Sequence, residues 1–282
     1  MLPSPWVAGA GTLKKTFCPG DAVFPIILAM IFCSTARLWG SVGFIASVLA
    51  AGAWLDRAPV TVLLPLVAAL MFCAALSALG LPRAHSEPRH PDARGALQVL
   101  REPRVAGFFA ACFCMTVAHG ALYAFYSIYL VENGYSTTTV GVLWTLGVVA
   151  EIGVFVALPA LFRRFSLRTI LIASFAAAAV RFVAIGWGIE SLALLALAQL
   201  LHGLTFGAYH AAAIAAVHRM FGAALAVRGQ ALYASLSYGL GGVAGMVLSG
   251  WAWGAVGPEV TFAISSAFGL AGALLIASKF RI

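Results

Sequence analysis

Residues 81–104 read LPRAHSEPRHPDARGALQVLREPR. This is the one long polar, proline-rich stretch in a chain of 282 residues, of which 62% are hydrophobic and 9% charged. An ordinary soluble domain is about a quarter charged, so a soluble chain this poor in charge could not cover its own surface. Composition therefore excludes a soluble enzyme, a disordered protein and a nucleic-acid-binding domain. Outward from the stretch, two apolar runs precede it, at 38–55 and 60–80. Six follow it, at 105–130, 137–161, 167–188, 191–217, 229–252 and 259–278. About 20 apolar residues in a helix cross the roughly 30 Å hydrocarbon core of a bilayer. Backbone groups in lipid must be satisfied within their own segment, which demands helices, and the short alternating segments of a membrane β-barrel are absent. The expected fold is all-α and polytopic, with about eight transmembrane helices. The stretch 22–36 is short and contains Pro25, so it is not expected to span alone.

The sequence carries 17 Lys and Arg against 9 Asp and Glu. With 81–104 in the cytoplasm, that side holds Lys14, Lys15, Arg37, Arg83, Arg89, Arg94, Arg101, Arg104, Arg163, Arg164, Arg168, Arg219, Arg228, Lys279 and Arg281, and the opposite side only Arg57. The opposite loops carry Asp56, Glu132, Glu190 and Glu259 instead. This is the bias of the positive-inside rule, and an even number of spans then puts both termini in the cytoplasm. The net charge of +8 thus marks topology and favours the anionic headgroups of a lipid bilayer; no nucleic-acid partner is expected. Cys18, Cys33, Cys73, Cys112 and Cys114 show no disulfide or zinc spacing and read as small apolar residues. Lys14 and Lys15 precede an apolar stretch, but no cleavage site leads into a soluble domain, so no cleaved signal is expected.

Ionisable groups at membrane depth are costly and point to function. Five positions qualify: Glu151, Arg181, His119, His202 and His210. Glu151 and Arg181 either face one water-accessible cavity or form a buried ion pair between adjacent helices. Gln199, His202, Phe206, Tyr209 and His210 fall on one broad helical face, and His119, Tyr123 and Tyr126 follow i, i+4, i+7 on another span. Two such stripes facing inward would line a pocket with rings and hydrogen-bond donors. The histidines could relay protons. No His/carboxylate pair at metal-binding spacing occurs, nor a nucleophile or dinucleotide motif, so neither a metal, a cofactor nor an enzyme activity is expected. Gly241, Gly245 and Ser249 form a small-xxx-small pattern suited to close helix packing.

Several segments resemble the major facilitator superfamily. They are RLWGSVGFI (Arg37–Ile45) and, most specifically, GYSTTTVGVLWTLGVVAEIGVFVALPALFRRFSLR (Gly134–Arg168). AHGALYAFYSIY, AVRF and LLHGLTFGAYHAA are similar to the 3-phenylpropionate permease-like group, near the lactose-permease-type proton symporters. The resemblance implies two six-helix bundles that rock about a central cavity. By it, 105–282 is the complete C-terminal bundle, 81–104 a cytoplasmic linker, 37–80 the last two helices of the N-terminal bundle, and 1–36 an atypical segment standing where the first four helices would be. It implies a secondary active transporter in a bacterial inner membrane, taking up a small organic anion such as 3-phenylpropionate with a proton. Glu151, His202 and His210 would couple the proton; Arg181, His119, Tyr123, Tyr126 and Tyr209 would bind substrate. A carboxylate found on the tenth helix of the sugar permeases has no counterpart, His210 being the nearest polar group, which favours an aryl carboxylate over a sugar. Two alternatives stay open: a truncated, transport-inactive product that needs a complementing N-terminal fragment, or a major facilitator transporter of another substrate class.

Overall fold

The computed structural model describes residues 40–80 and 93–280. Every regular element among them is helical. α1 is Gly40–Leu55. A single 3-10 turn, Val60–Val62, leads into α2, Leu63–Leu79. α3 is Ala93–Leu100, α4 Pro103–Ala118, α5 Gly120–Glu132, α6 Thr137–Arg164, α7 Leu167–Trp187 and α8 Leu192–Leu200. A π-helical turn, Gly203–Ala208, joins α8 to α9, Tyr209–Tyr233; a second, Ala234–Gly241, joins α9 to α10, Gly242–Lys279.

The starts of these helices are written in side-chain chemistry. Ser136, Ser166 and Ser191 accept from the backbone N–H three residues on, opening α6, α7 and α8. Each satisfies one of the amides that a helix start leaves without a partner. Arg163 and Arg164 close α6, where their charge suits the negative end of the helix dipole.

Helical backbone from Leu192 to Lys279 covers 88 residues, at 1.5 Å per residue far longer than a bilayer is thick. Two glycines fold it back. Gly222 (φ 64°) and Gly257 (φ 83°) adopt left-handed conformations inside α9 and α10, which glycine reaches without steric penalty. The stretch is therefore three spans. With α1, α2, the α4–α5 pair, α6 and α7, the described residues contain the eight expected from hydropathy. His119 closes α4 and opens α5, so the first span after the linker runs from Pro103 to Glu132.

The structure departs from the sequence reading in the linker. Residues 93–100, expected as part of a loop, form α3, with Ala96 buried and Leu97 exposed. Its strong amphipathicity is masked in sequence by the prolines and charges that flank it. The stretches 1–39 and 81–92 lie outside the described residues, and with them the short 22–36 run, Cys18 and Cys33. Of the other cysteines, Cys112 is buried and Cys114 partly so, whereas Cys73 on α2 is exposed.

The core lies among α4–α10. α10 packs on α4, α5 and α7, and α6 packs on the first π turn. Phe108 stacks on Phe280 with centroids 5.3 Å apart, and Phe175 meets Tyr209 edge-on at 5.7 Å. α4–α5 and α10 cross backbone to backbone: a Cβ on Gly245 would lie 2.8 Å from the carbonyl oxygen of Val117, and Gly120 is as tightly placed against Gly245. The small-residue pattern at Gly241, Gly245 and Ser249 is therefore a packing seam.

A second seam joins α1 to α6. A Cβ on Gly52 would lie 2.7 Å from the carbonyl oxygen of Thr137, and one on Gly141 would lie 2.9 Å from that of Val48. Just past α1, Asp56 reaches the start of α6. The Thr137 amide donates to Asp56 Oδ1 at 2.8 Å and the Thr138 amide to Oδ2 at 3.3 Å. The Thr137 hydroxyl lies 2.6 Å from Oδ1, and the Thr138 hydroxyl donates to Oδ2. These hydroxyl donors, Thr137 first, hold the Asp56 carboxyl below its ordinary pKa.

Candidate functional site

Arg181 sits on α7 between Val180 and Phe182 and is fully buried. A charge at such depth persists only with partners, and α8 and the first π turn supply them. Its Nη2 donates to Gln199 Oε1 at 2.7 Å; its Nη1 donates to His202 Nδ1 and to Thr205 Oγ1, both at 3.1 Å. Nε has no partner. A guanidinium has only donors, so Nδ1 of His202 must accept. The imidazole proton then sits on Nε2, which lies 3.7 Å from Glu151 Oε2. Glu151 and Arg181 thus meet through His202, a line from α7 to α6 by way of the residue that opens the first π turn.

Small residues make this line fit. Gly203 and Gly207 bring the π turn onto α6: a Cβ on Gly203 would lie 2.7 Å from the Ala150 carbonyl oxygen, and one on Gly207 3.2 Å from Glu151 Cγ. A Cβ on Gly147 would press on Gln199 Oε1 at 3.3 Å. The π turn also aligns rings. An α-helix overshoots a full circle by about 40° in four residues, and the wider turn takes some of that back. His202, Phe206 and His210 therefore stack in a ladder, with centroids 5.3 and 6.1 Å apart and planes within 12°.

Beside the line lies a cavity of about 210 Å³ between α4, α5, the π turns, α9 and α10. It is lined by Met115, Thr116, His119, Gly120, Tyr123, Thr205, Phe206, Tyr209, Tyr238, Gly242 and Met246. His119 Nδ1 donates to the Met115 carbonyl at 2.8 Å, so its Nε2 is a bare acceptor, buried without a partner. The Tyr209 hydroxyl is likewise buried, beside the Cys112 thiol and the Tyr233 hydroxyl. Tyr123 stacks on Trp144 with planes 10° apart, and Tyr126 meets the same indole edge-on. His210 Nδ1 is 3.0 Å from the Tyr238 hydroxyl, which Tyr233 approaches at 3.4 Å.

The structure thus gives the residues singled out from sequence different places. His119, Tyr123 and Tyr209 line the cavity. Glu151, Arg181 and His202 form the polar line, and His210 reaches the cavity through Tyr238. Tyr126 stands behind Trp144, fully buried. Arg181 does not line the cavity: its own protein partners enclose it, and Thr205 is the side chain that both touches the cavity and accepts from it. Thr116, Thr205 and Tyr238 were not singled out from sequence. The threonines look like ordinary small residues in a span, whereas Tyr238, one residue before Gly239 and in the middle of its span, was a readable signal.

The profile of the MFS_1 like family matches residues 33–264. A protein of Escherichia coli strain K12 named as a 3-phenylpropionic acid transporter is 34% identical over 210 residues, covering 72% of this chain and 54% of that protein. A second protein of the same strain, YegT, which carries the name of a nucleoside transporter, is 28% identical over 232 residues, covering 76% of this chain and 54% of its own length. The chain spans about half the length of these curated relatives.

Proposed function

Because the chain belongs to the MFS_1 like family, we propose that it is a secondary active transport protein that moves a small aromatic carboxylate, such as 3-phenylpropionate, together with a proton. Residues 105–282 act as one six-helix bundle, 37–80 as two helices of the other, and 81–104 as the linker, in a bacterial inner membrane with both termini cytoplasmic. The observation that carries this reading is the line Arg181–His202–Glu151 beside a cavity walled with rings.

The cavity takes the aryl ring against Tyr123, Phe206 and Tyr238. Its wall holds no side-chain charge of its own, so the substrate carboxylate is drawn to the Thr205 edge, behind which Arg181 stands. Glu151 holds the coupled proton. While Arg181 donates to His202 Nδ1, that imidazole stays neutral and offers Nε2–H to an ionised Glu151. Protonating Glu151 removes that acceptor, and an arriving anion competes for the guanidinium; both events loosen the same line. Two ligands that bias one equilibrium are coupled by necessity.

Uptake of labelled 3-phenylpropionate into proteoliposomes under an imposed proton gradient tests the proposal. Glu151→Gln is expected to abolish accumulation against a gradient while retaining exchange of substrate down its own. Normal accumulation by that variant would remove Glu151 from the proton route. The 28% identity to YegT favours a second reading, a nucleoside substrate, which competition by nucleosides in the same assay decides. If the chain alone accumulates neither class and a co-expressed fragment carrying further helices restores uptake, the chain is an inactive part of a split transporter.

A further inference from the structure

The start of α6 is capped twice, and the second cap comes from elsewhere in the fold. Ser136 accepts from the Thr139 amide, as the sequence S-T-T-T leads one to expect. The amides of Thr137 and Thr138 are left, and both go to the carboxylate of Asp56, 81 and 82 residues away. Both threonine hydroxyls converge on the same carboxylate, and the Thr137 hydroxyl is also 2.7 Å from the Gly52 carbonyl. A carboxylate there meets the positive end of the α6 dipole as well.

The contact sits where two helices are already held close. Gly52 faces Thr137 and Val48 faces Gly141, so α1 and α6 run against each other in opposite directions for one turn inward from Asp56. About ten residues further along α6, roughly 15 Å of helix, is Glu151. Every bond to Asp56 is exposed, so water can replace each one. A contact built this way closes without being permanent, unlike the buried seam at Gly120 and Gly245.

We propose that Asp56 is a positioning residue for the transport cycle: by capping α6 it latches α1 against α6 at the end marked by Asp56, Glu132, Glu190 and Glu259, and so shuts the approach to Glu151 from that side. The proposal rests on the transport reading above, and its test is chosen to fail separately.

The full chain, with native cysteines replaced, is reconstituted in nanodiscs with spin labels at Ala53 on α1 and Val142 on α6, both exposed. The parent is expected to give one narrow distance distribution. Asp56→Ala is expected to lose that single population and gain a longer one, Asp56→Asn to show both, and Asp56→Glu to return towards the parent. Uptake is measured on the same samples. If Asp56→Ala does not fold, the isosteric Asp56→Asn carries the test. An unchanged narrow distribution in the asparagine variant overturns the latch, whatever uptake does. Separation of the labels in a chain whose parent transports nothing supports the latch and removes the transport reading alone.

Discussion

α2 and the α4–α5 pair are both apolar enough to cross a membrane, and α2 is the more apolar of the two. Yet none of the Val60–Ser77 window is buried within the protein, against 67% of the corresponding window in Pro103–Glu132. Hydropathy alone therefore says that both can meet lipid and nothing about which meets protein. The α4–α5 pair differs from α2 in its glycine contacts and in a polar side chain that bonds to another helix. α4–α5 and α10 carry glycines that let backbones touch, and a polar group, Thr116, that finds a partner across helices. Thr116 donates to the Ser237 carbonyl at 2.7 Å. α2 offers Leu64, Met71, Phe72 and Leu79 to its surroundings. Glycines and partnered polar groups permit close packing in a membrane, whereas the small Ala68, Ala69, Ala74 and Ala75 of α2 stay exposed.

The contrast can be broken by substitution. Phe175→Ala, deep in the bundle, is expected to lower stability by about 3–5 kcal/mol, read from the thermal midpoint by circular dichroism in detergent. Phe72→Ala on exposed α2 should stay within roughly 0.5 kcal/mol of the parent. Equal losses at the two positions would erase the distinction. Gly120→Leu comes next: the new side chain has only the Gly245 backbone to displace, and an overpacked core loses about 1–3 kcal/mol. Gly43→Leu on α1, where nothing stands within 4 Å, should change the midpoint little.

The smallest effect lies at the α1–α6 seam. Asp56 has a pKa lowered in the folded state, so its contribution is fully present above the unfolded value of about 3.9 and is lost as pH falls through the lower folded value. The α1–α6 distance should therefore hold through neutral and mildly acidic pH and open only below about pH 4. Asp56→Asn should show no such transition. Opening of the parent near neutrality would assign the seam to another group.

Much of this was legible without coordinates. The eight spans were, because a segment that must satisfy its backbone in lipid has to be long, apolar and helical. Glu151, Arg181, His119 and His202 stood out as candidates, because an ionisable group at membrane depth is costly. Their arrangement was not legible. Nothing in AAAAVRFVAIG says that Arg181 will be enclosed by Gln199, His202 and Thr205, since those partners arrive from another helix. The π turns left no mark either, as HGLTFGAY reads as plain helix. α3 was hidden by its flanks. Asp56 was legible only as a charge on the far side of the membrane, because an exposed aspartate between two spans looks the same whether or not it caps a helix 81 residues on.

The indole of Trp144 stacks on Tyr123 of the cavity wall, meets Tyr126 edge-on behind it and donates to Ser127 at 3.0 Å. Trp54, Trp187 and Trp251 are exposed and Trp253 stacks on Phe125 at 4.6 Å, away from the cavity lining. Trp144 therefore gives the cavity an optical reporter of its own. In a chain whose other tryptophans are replaced by phenylalanine, an aryl ligand that settles against Tyr123 will alter the emission of one fluorophore, and occupancy can be titrated without moving any substrate across a membrane.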